Sequence, residues 1–138
     1  MKKFLLMATM LLMFGAANAQ ISNSVQKTEA GYIYVYVYGS GGNQITRIDL
    51  GESGSTNQLG AFSSEIVVVQ KTEAGWVYAY VYDKTGSRVG RVDIGKTSDS
   101  EIGRIVSANG SNFKVAKKEA GQNYTYTYDK SGSKISRD

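Results

Sequence analysis

Aromatic residues alternate with smaller residues in three segments of the chain. Tyrosine occupies every second position of residues 32–38, residues 76–82 repeat the pattern beginning with Trp76, and residues 124–128 carry it a third time. Successive residues of a β-strand point to opposite faces of a sheet, so a period of two is typical of a strand. The pattern therefore predicts three β-strands, each with its rings on one face.

The three aromatic strands belong to a longer repeat. Each follows a copy of the segment that reads Lys-Thr-Glu-Ala-Gly at residues 27–31, and the copies recur at intervals of 44 and 46 residues. A turn follows each strand, as in Asp83-Lys84-Thr85-Gly86, whose aspartate and glycine suit a type I turn with a glycine bulge. We predict that a second strand then returns, at residues 45–50, 89–94 and 135–138.

Two further strands complete a unit. We predict third strands at residues 59–62 and 102–106 and fourth strands at residues 66–70 and 113–116, with a hairpin turn at Asn109-Gly110. The fold class is then all-β, an antiparallel meander of about 10–11 strands in two and a half tandem four-stranded repeats. The units lie at about residues 25–68, 69–114 and 115–138. An open repeat sheet and a propeller-like assembly completed by oligomerisation both fit this pattern.

The register of the second unit assigns chemistry to its two faces. If the turn closes at Asp83, Val92 and Ile94 continue the aromatic face, and the other face combines aliphatic side chains with Arg91 and Asp93. A shift of one residue would exchange these assignments. Because the aromatic stripe recurs in every unit, we favour a buried core over an exposed platform as its role.

The third unit differs from the others on one face. Asn123, Thr125 and Thr127 stand where the first unit has aliphatic residues, although the tyrosines between them remain. A polar face is expected of a terminal repeat that has water on one side.

The N-terminus has the three parts of a secretory signal peptide. Lys2 and Lys3 precede an apolar run at residues 4–13, and small residues lead to a cleavage site after Ala19. We predict a single β-repeat domain at residues 20–138, secreted or periplasmic, that begins at Gln20. No cysteine is available for a lipid anchor and no second apolar stretch follows. We therefore expect no integral membrane segment after cleavage.

The composition narrows the chemistry. The chain has no histidine, cysteine or proline, so a thiol nucleophile, a histidine base, a zinc site with histidine or cysteine ligands and a disulfide are excluded. Basic residues number 16 against 12 acidic ones, a weak and dispersed excess that does not indicate nucleic acid as a partner. Glu29, Glu73 and Glu119 recur in every unit, whereas a catalytic pair is normally a single site. We expect a protein that is not an enzyme and has no cofactor or metal.

Two segments resemble a known repeat. Residues 80–86 read Tyr-Val-Tyr-Asp-Lys-Thr-Gly and residues 126–132 read Tyr-Thr-Tyr-Asp-Lys-Ser-Gly. Both resemble the core of the YD repeats of RHS-type surface and toxin proteins, although Gly39 replaces the aspartate in the first unit. The resemblance implies an extracytoplasmic β-scaffold of tyrosine-rich hairpins.

The candidate ligand-binding residues come from the aromatic strands and the return strand. They are Trp76, Tyr78, Tyr80, Tyr32, Arg91 and Asp93. Aromatic rings provide platforms for sugars and amphipathic contact area for proteins. The leading hypothesis is an adhesion, matrix or assembly subunit that acts by surface contact, with a protein partner or self-association through edge strands. The alternatives are a carbohydrate-binding module, with glycans as partners, and an inhibitor or immunity-type protein.

Overall fold

The protein is all-β, as predicted. The structure is a computed structural model that describes residues 20–138, so the predicted signal peptide lies outside the described residues. The strands are β1 Ile21–Glu29, β2 Tyr32–Gly39, β3 Gln44–Glu52, β4 Gln58–Phe62, β5 Ile66–Glu73, β6 Trp76–Asp83, β7 Arg88–Lys96, β8 Arg104–Asn109, β9 Asn112–Glu119, β10 Gln122–Asp129 and β11 Lys134–Arg137. They form three antiparallel meanders, named here sheet 1 (β1–β3), sheet 2 (β4–β7) and sheet 3 (β8–β11).

The turns after the aromatic strands have the predicted geometry. The Gly86 amide donates to the carbonyl of Asp83, and Gly86 has a φ of 85°, in the left-handed region that glycine adopts without strain. The Asp83 carboxylate accepts hydrogen bonds from the amides of Thr85 and Ser87 at 2.9 and 3.1 Å. The aspartate therefore stabilises the turn from within.

A second kind of turn was not predicted. Ala30 and Gly31 both have positive φ, 50° and 84°, and join β1 to β2 as a two-residue hairpin. The same alanine–glycine pair connects β5 to β6 and β9 to β10. Hairpins of this kind usually contain Asn-Gly, because alanine is strained in the left-handed region. The sequence signal was therefore weak.

The predicted faces of the second unit are wrong, because β7 contains a bulge. Tyr82 pairs with Arg88 as expected, but the next pair is Val81 with Gly90, which leaves Val89 as an extra residue. This one-residue shift moves Arg91 and Asp93 to the face of the tyrosines, opposite Tyr80 and Tyr78. The aliphatic face gains Val92 and Ile94.

Sheets 1 and 2 each pack their aliphatic face on the tyrosine face of the next sheet. Val35 and Val37 of sheet 1 share a core with Tyr80 of sheet 2, which is 1% exposed. Val81 of sheet 2 shares a second core with Tyr126 of sheet 3. Sheet 2 therefore lies between the other two, and the tyrosines buried in the cores come from sheets 2 and 3 but not from sheet 1.

Glycines allow the sheets to approach closely. A Cβ added to Gly60 would lie 2.9 Å from the Cβ of Ile105, and one added to Gly90 would lie 2.7 Å from the carbonyl carbon of Ser131. At Gly90 the neighbouring atoms are backbone, so β7 packs directly against the turn between β10 and β11.

The outer face of sheet 3 is the polar face noted in the sequence. Asn123 is exposed, and Thr125 and Thr127 are half-buried. Neither of the two cores formed by residues 20–138 includes these three side chains.

Candidate functional site

Sheet 1 presents a tyrosine face that none of the other described strands covers. This open tyrosine face consists of Tyr32, Tyr34, Tyr36 and Tyr38 from β2, Asn23, Val25, Lys27 and Glu29 from β1, and Gln44, Arg47, Asp49 and Glu52 from β3. Tyr32 is 43% exposed and the other three rings are half-buried. In the other two sheets, Tyr80, Tyr126 and Tyr128 are buried in the cores, and Tyr78, Tyr82 and Tyr124 are partly buried and pack against those cores. None of the four tyrosines of β2 belongs to either core of residues 20–138 or packs against one. The open tyrosine face is therefore the main candidate for contact with a partner.

Cations and a carboxylate hold the rings of this face in place. Arg47 pairs across the strands with Tyr36, and its guanidinium lies 4.2 Å from the centre of the Tyr34 ring. The Lys27 ammonium lies 5.2 Å from the Tyr36 ring, whose hydroxyl donates to Glu29 at 2.8 Å. Contacts of both kinds are favourable, so the face is ordered before any partner binds.

The same arrangement recurs in the other sheets. The guanidinium carbon of Arg91 lies 4.5 Å from the Tyr78 ring, and that of Arg137 lies 4.4 Å from the Tyr124 ring. The Tyr126 hydroxyl donates to a carboxylate, as Tyr36 does, at 2.7 Å. The arginine contact recurs in three sheets and the carboxylate contact in sheets 1 and 3, so these groups first serve to build the tyrosine face itself.

The tyrosine environments shift the acidity of their hydroxyls. Burial raises the pKa of Tyr80, Tyr82 and Tyr128. The pKa of Tyr126 is also raised, mainly by its hydrogen bond to Glu119. Phenol groups with raised pKa values stay neutral above the ordinary range, which suits packing rather than proton transfer near neutral pH.

No family model, no curated protein and no solved structure matches this chain.

The structure separates the six candidate residues proposed from the sequence. Tyr78 and Tyr80 are in sheet 2 beneath the aliphatic face of sheet 1, and Tyr80 is fully covered. Arg91 and Asp93 are exposed on the same face of β7. Tyr32 belongs to the open tyrosine face, on a different sheet.

Asp93 has a structural role in its strand. Its carboxylate accepts a hydrogen bond from the Gly95 amide at 2.9 Å, and Asp49 accepts one from Gly51 at 2.8 Å. Both glycines have positive φ at a second bulge in the return strand. The recurring aspartates therefore support a bulge, and residues 20–138 contain no ion pair between Arg91 and Asp93.

Trp76 lies at a cleft between the ends of sheets 2 and 3. The cleft has a volume of about 370 Å³, and the Lys96 ammonium lies 5.0 Å from the indole ring. Lys118 forms an ion pair with Glu101 at 3.2 Å in its wall. Asp93 also lines the cleft, so Trp76 and Asp93 are the two predicted residues that meet in a concave site.

In residues 20–138, no three acidic side chains are close enough together to hold a metal ion. That part of the chain also contains no helix that is long and apolar enough to cross a membrane.

Sequence reasoning missed most of the open tyrosine face. A signal for it was present in β1. Asn23 stands where sheet 2 has Val67 and sheet 3 has Phe113, both fully buried. A polar residue at this position marks the tyrosine face that lies outside both cores of residues 20–138.

Proposed function

We propose that this protein is an exported, non-enzymatic β-repeat protein that acts by surface contact, as an adhesion, matrix or assembly subunit. The observation that carries the proposal is the open tyrosine face of sheet 1. It has the rings, the alternating arrangement and the flanking charges of the faces that are buried in sheets 2 and 3.

The composition of the face supports contact with another macromolecule. Tyrosine and arginine are enriched at protein interfaces, because they provide large contact areas together with hydrogen bonds. Arg47 and Lys27 are held against rings, so little side-chain freedom is lost when a partner binds. The sequence supports export through the N-terminal signal, and the resemblance to YD repeats supports a scaffold role outside the cytoplasm.

Cosedimentation tests this function. The purified protein is mixed with envelope and matrix fractions of the producing cells, and we expect it to be retained. The double variant Tyr34→Ser/Tyr36→Ser should lose retention, and Tyr32→Ser, at the most exposed ring, provides a milder second variant. The control Thr125→Ser/Thr127→Ser changes the opposite end of the molecule and should be retained normally. Equal retention of all variants, or none of the wild type, would contradict the proposal.

A second candidate function is carbohydrate binding at the Trp76 cleft. A half-exposed indole beside Lys96, in a cleft that also contains carboxylates, combines a ring for stacking with groups that bond hydroxyls. A glycan array with wild type and Trp76→Ala tests it. Binding that Trp76→Ala abolishes would favour this function, and an array with no bound glycan would remove it.

A further inference from the structure

The chain itself shows twice what covers a tyrosine face of this kind. The face of sheet 2 is covered by Ile33, Val35 and Val37, which alternate along β2 of sheet 1. The face of sheet 3 is covered by Val77, Ala79 and Val81, at the equivalent positions of β6. In both cases the cover is the aliphatic side of a neighbouring antiparallel sheet.

We propose that the open tyrosine face of sheet 1 binds a β-sheet of another protein that presents β-branched aliphatic residues at alternate positions. This inference rests on the proposed contact function and names the class of its partner. The partner would occupy the place that sheet 1 occupies on sheet 2. The two aliphatic faces that residues 20–138 form, those of sheets 1 and 2, are already buried in the cores of the same molecule.

The far end of the molecule does not offer such a face. Thr125 and Thr127 have the shape of the valines that they replace, but their hydroxyls, together with exposed Asn123 and Lys114, make the face polar. Packing it against the rings would bury hydroxyl and amide groups with no assured partners, which is unfavourable. A second copy of this chain is therefore a poor cover, and another protein is the better one.

The spacing of the rings suits a sheet as partner. The centroids of Tyr32 and Tyr34 are 6.5 Å apart and those of Tyr34 and Tyr36 are 6.4 Å apart. Side chains on one face of a strand recur at about 6.6 Å, so an aligned strand can place one aliphatic residue against each ring.

The area of the open tyrosine face indicates how strongly it binds, and its charge indicates the charge expected at the rim of the partner. Three strands with a central strand of eight residues cover roughly 14 Å by 26 Å at the usual strand spacing and rise. This is about half of the roughly 800 Å² that each partner contributes to a standard interface. We expect weak, reversible binding. Glu29, Asp49 and Glu52 outnumber Lys27 and Arg47 on the face, so a weakly basic rim on the partner would match it.

The test gives the face an aliphatic cover of known sequence. The variant Asn123→Ile/Thr125→Val/Thr127→Val restores on sheet 3 the pattern of residues 33–37 of sheet 1. Each copy could then cover the open tyrosine face of the next, a head-to-tail contact that does not close on itself. Sedimentation velocity at increasing concentration should show heavier species for this variant and a monomer for the wild type. Thr127→Val alone is the fallback if the triple variant does not fold.

Matched controls locate the contact. Adding Tyr34→Ser/Tyr36→Ser to the triple variant should return it to a monomer, whereas adding Ser98→Ala, in an exposed loop, should leave the assembly unchanged. A folded triple variant that stays monomeric would overturn the inference, as would a wild type that assembles by itself.

Treatment of the envelope fraction shows whether the natural partner is a protein, and it separates this inference from the proposed function. Retention of the wild type should be lost after protease digestion. Retention that survives protease and is lost after periodate oxidation would overturn the protein partner while leaving the contact function in place. Absence of any retention from the untreated fraction would instead contradict the contact function itself.

Discussion

Replacement of Gly90 by alanine is a direct test of how sheets 2 and 3 approach each other. Gly90 lies in β7, and its φ is outside the left-handed region, so alanine can adopt the same backbone conformation. The added methyl carbon would lie 2.7 Å from the carbonyl carbon of Ser131 and 2.9 Å from its oxygen. Because both are backbone atoms, the strand or the turn must move to admit it.

The expected cost follows from the need to move packed backbone. Overpacking of this kind lowers the free energy of unfolding by about 1–3 kcal/mol. For a domain of this size, each kcal/mol lowers the melting temperature by about 4 °C, so Gly90→Ala should melt about 4–12 °C below the wild type. Thermal unfolding followed by circular dichroism measures the shift.

Gly54→Ala is the matched control for this substitution. No atom lies within 4 Å of the Cβ that alanine would add there, and Gly54 does not have a positive φ. Its melting temperature should equal or slightly exceed that of the wild type. If Gly90→Ala were as stable as Gly54→Ala, the turn of sheet 3 could not rest on β7 as described.

Three further predictions concern stability. Ala74 is exposed and has a φ of 51°, so Ala74→Asn should raise the free energy of unfolding in urea by about 1 kcal/mol. Burial raises the pKa values of Tyr80, Tyr82 and Tyr128 in the folded protein. The resulting stabilisation should be complete below the unfolded pKa of about 10 and should be lost as the pH rises through the folded pKa values. Absorbance titration should show tyrosines that ionise at a higher pH than free tyrosine. Burial of Asp83 opposes its ionisation, but the hydrogen bonds from Thr85 and Ser87 outweigh burial and lower the pKa of Asp83. The wild type should therefore be more stable in urea than Asp83→Asn above a pH of about 4, and this difference should shrink as the pH falls further.

The strands and the turns after the aromatic strands could be predicted from the sequence because they depend on local signals. The alternation of Tyr78, Tyr80 and Tyr82 fixes one strand, and Asp83 with Gly86 fixes the turn. The return strands and the hairpin near Gly110 follow from similar signals.

The faces of the return strands could not be predicted in the same way. The bulge at Val89 has no local signal in the sequence, because it is not stabilised by contacts with neighbouring residues of the chain. It stacks Arg91 on Tyr78 and buries Val92 against sheet 3, and both gains depend on contacts between strands and sheets. A bulge of one residue exchanges the two faces of the residues that follow it, up to the next bulge.

The candidate site could not be predicted from one unit, because its exposure depends on the order in which the sheets stack. All three units carry the same tyrosine pattern, so one unit alone does not show which of its faces is covered. The information lies at the two ends of the stack, in Asn23 on one side and in Thr125 and Thr127 on the other. Read together, these positions distinguish an open tyrosine face on sheet 1 from a polar outer face on sheet 3.

The exposure of individual tyrosines tests the central claim most directly. Hydroxyl-radical footprinting of the purified protein, read by mass spectrometry at each ring, should modify Tyr32 fastest and Tyr34 and Tyr36 next, while Tyr80 and Tyr126 remain protected. Addition of the envelope fraction that retains the protein should protect the three rings of sheet 1. Tyr36, Tyr80 and Tyr126 occupy equivalent positions of the repeat. Equal reactivity of these three rings would contradict the packing of an aliphatic face on each tyrosine face of sheets 2 and 3, from which the open tyrosine face of sheet 1 is inferred.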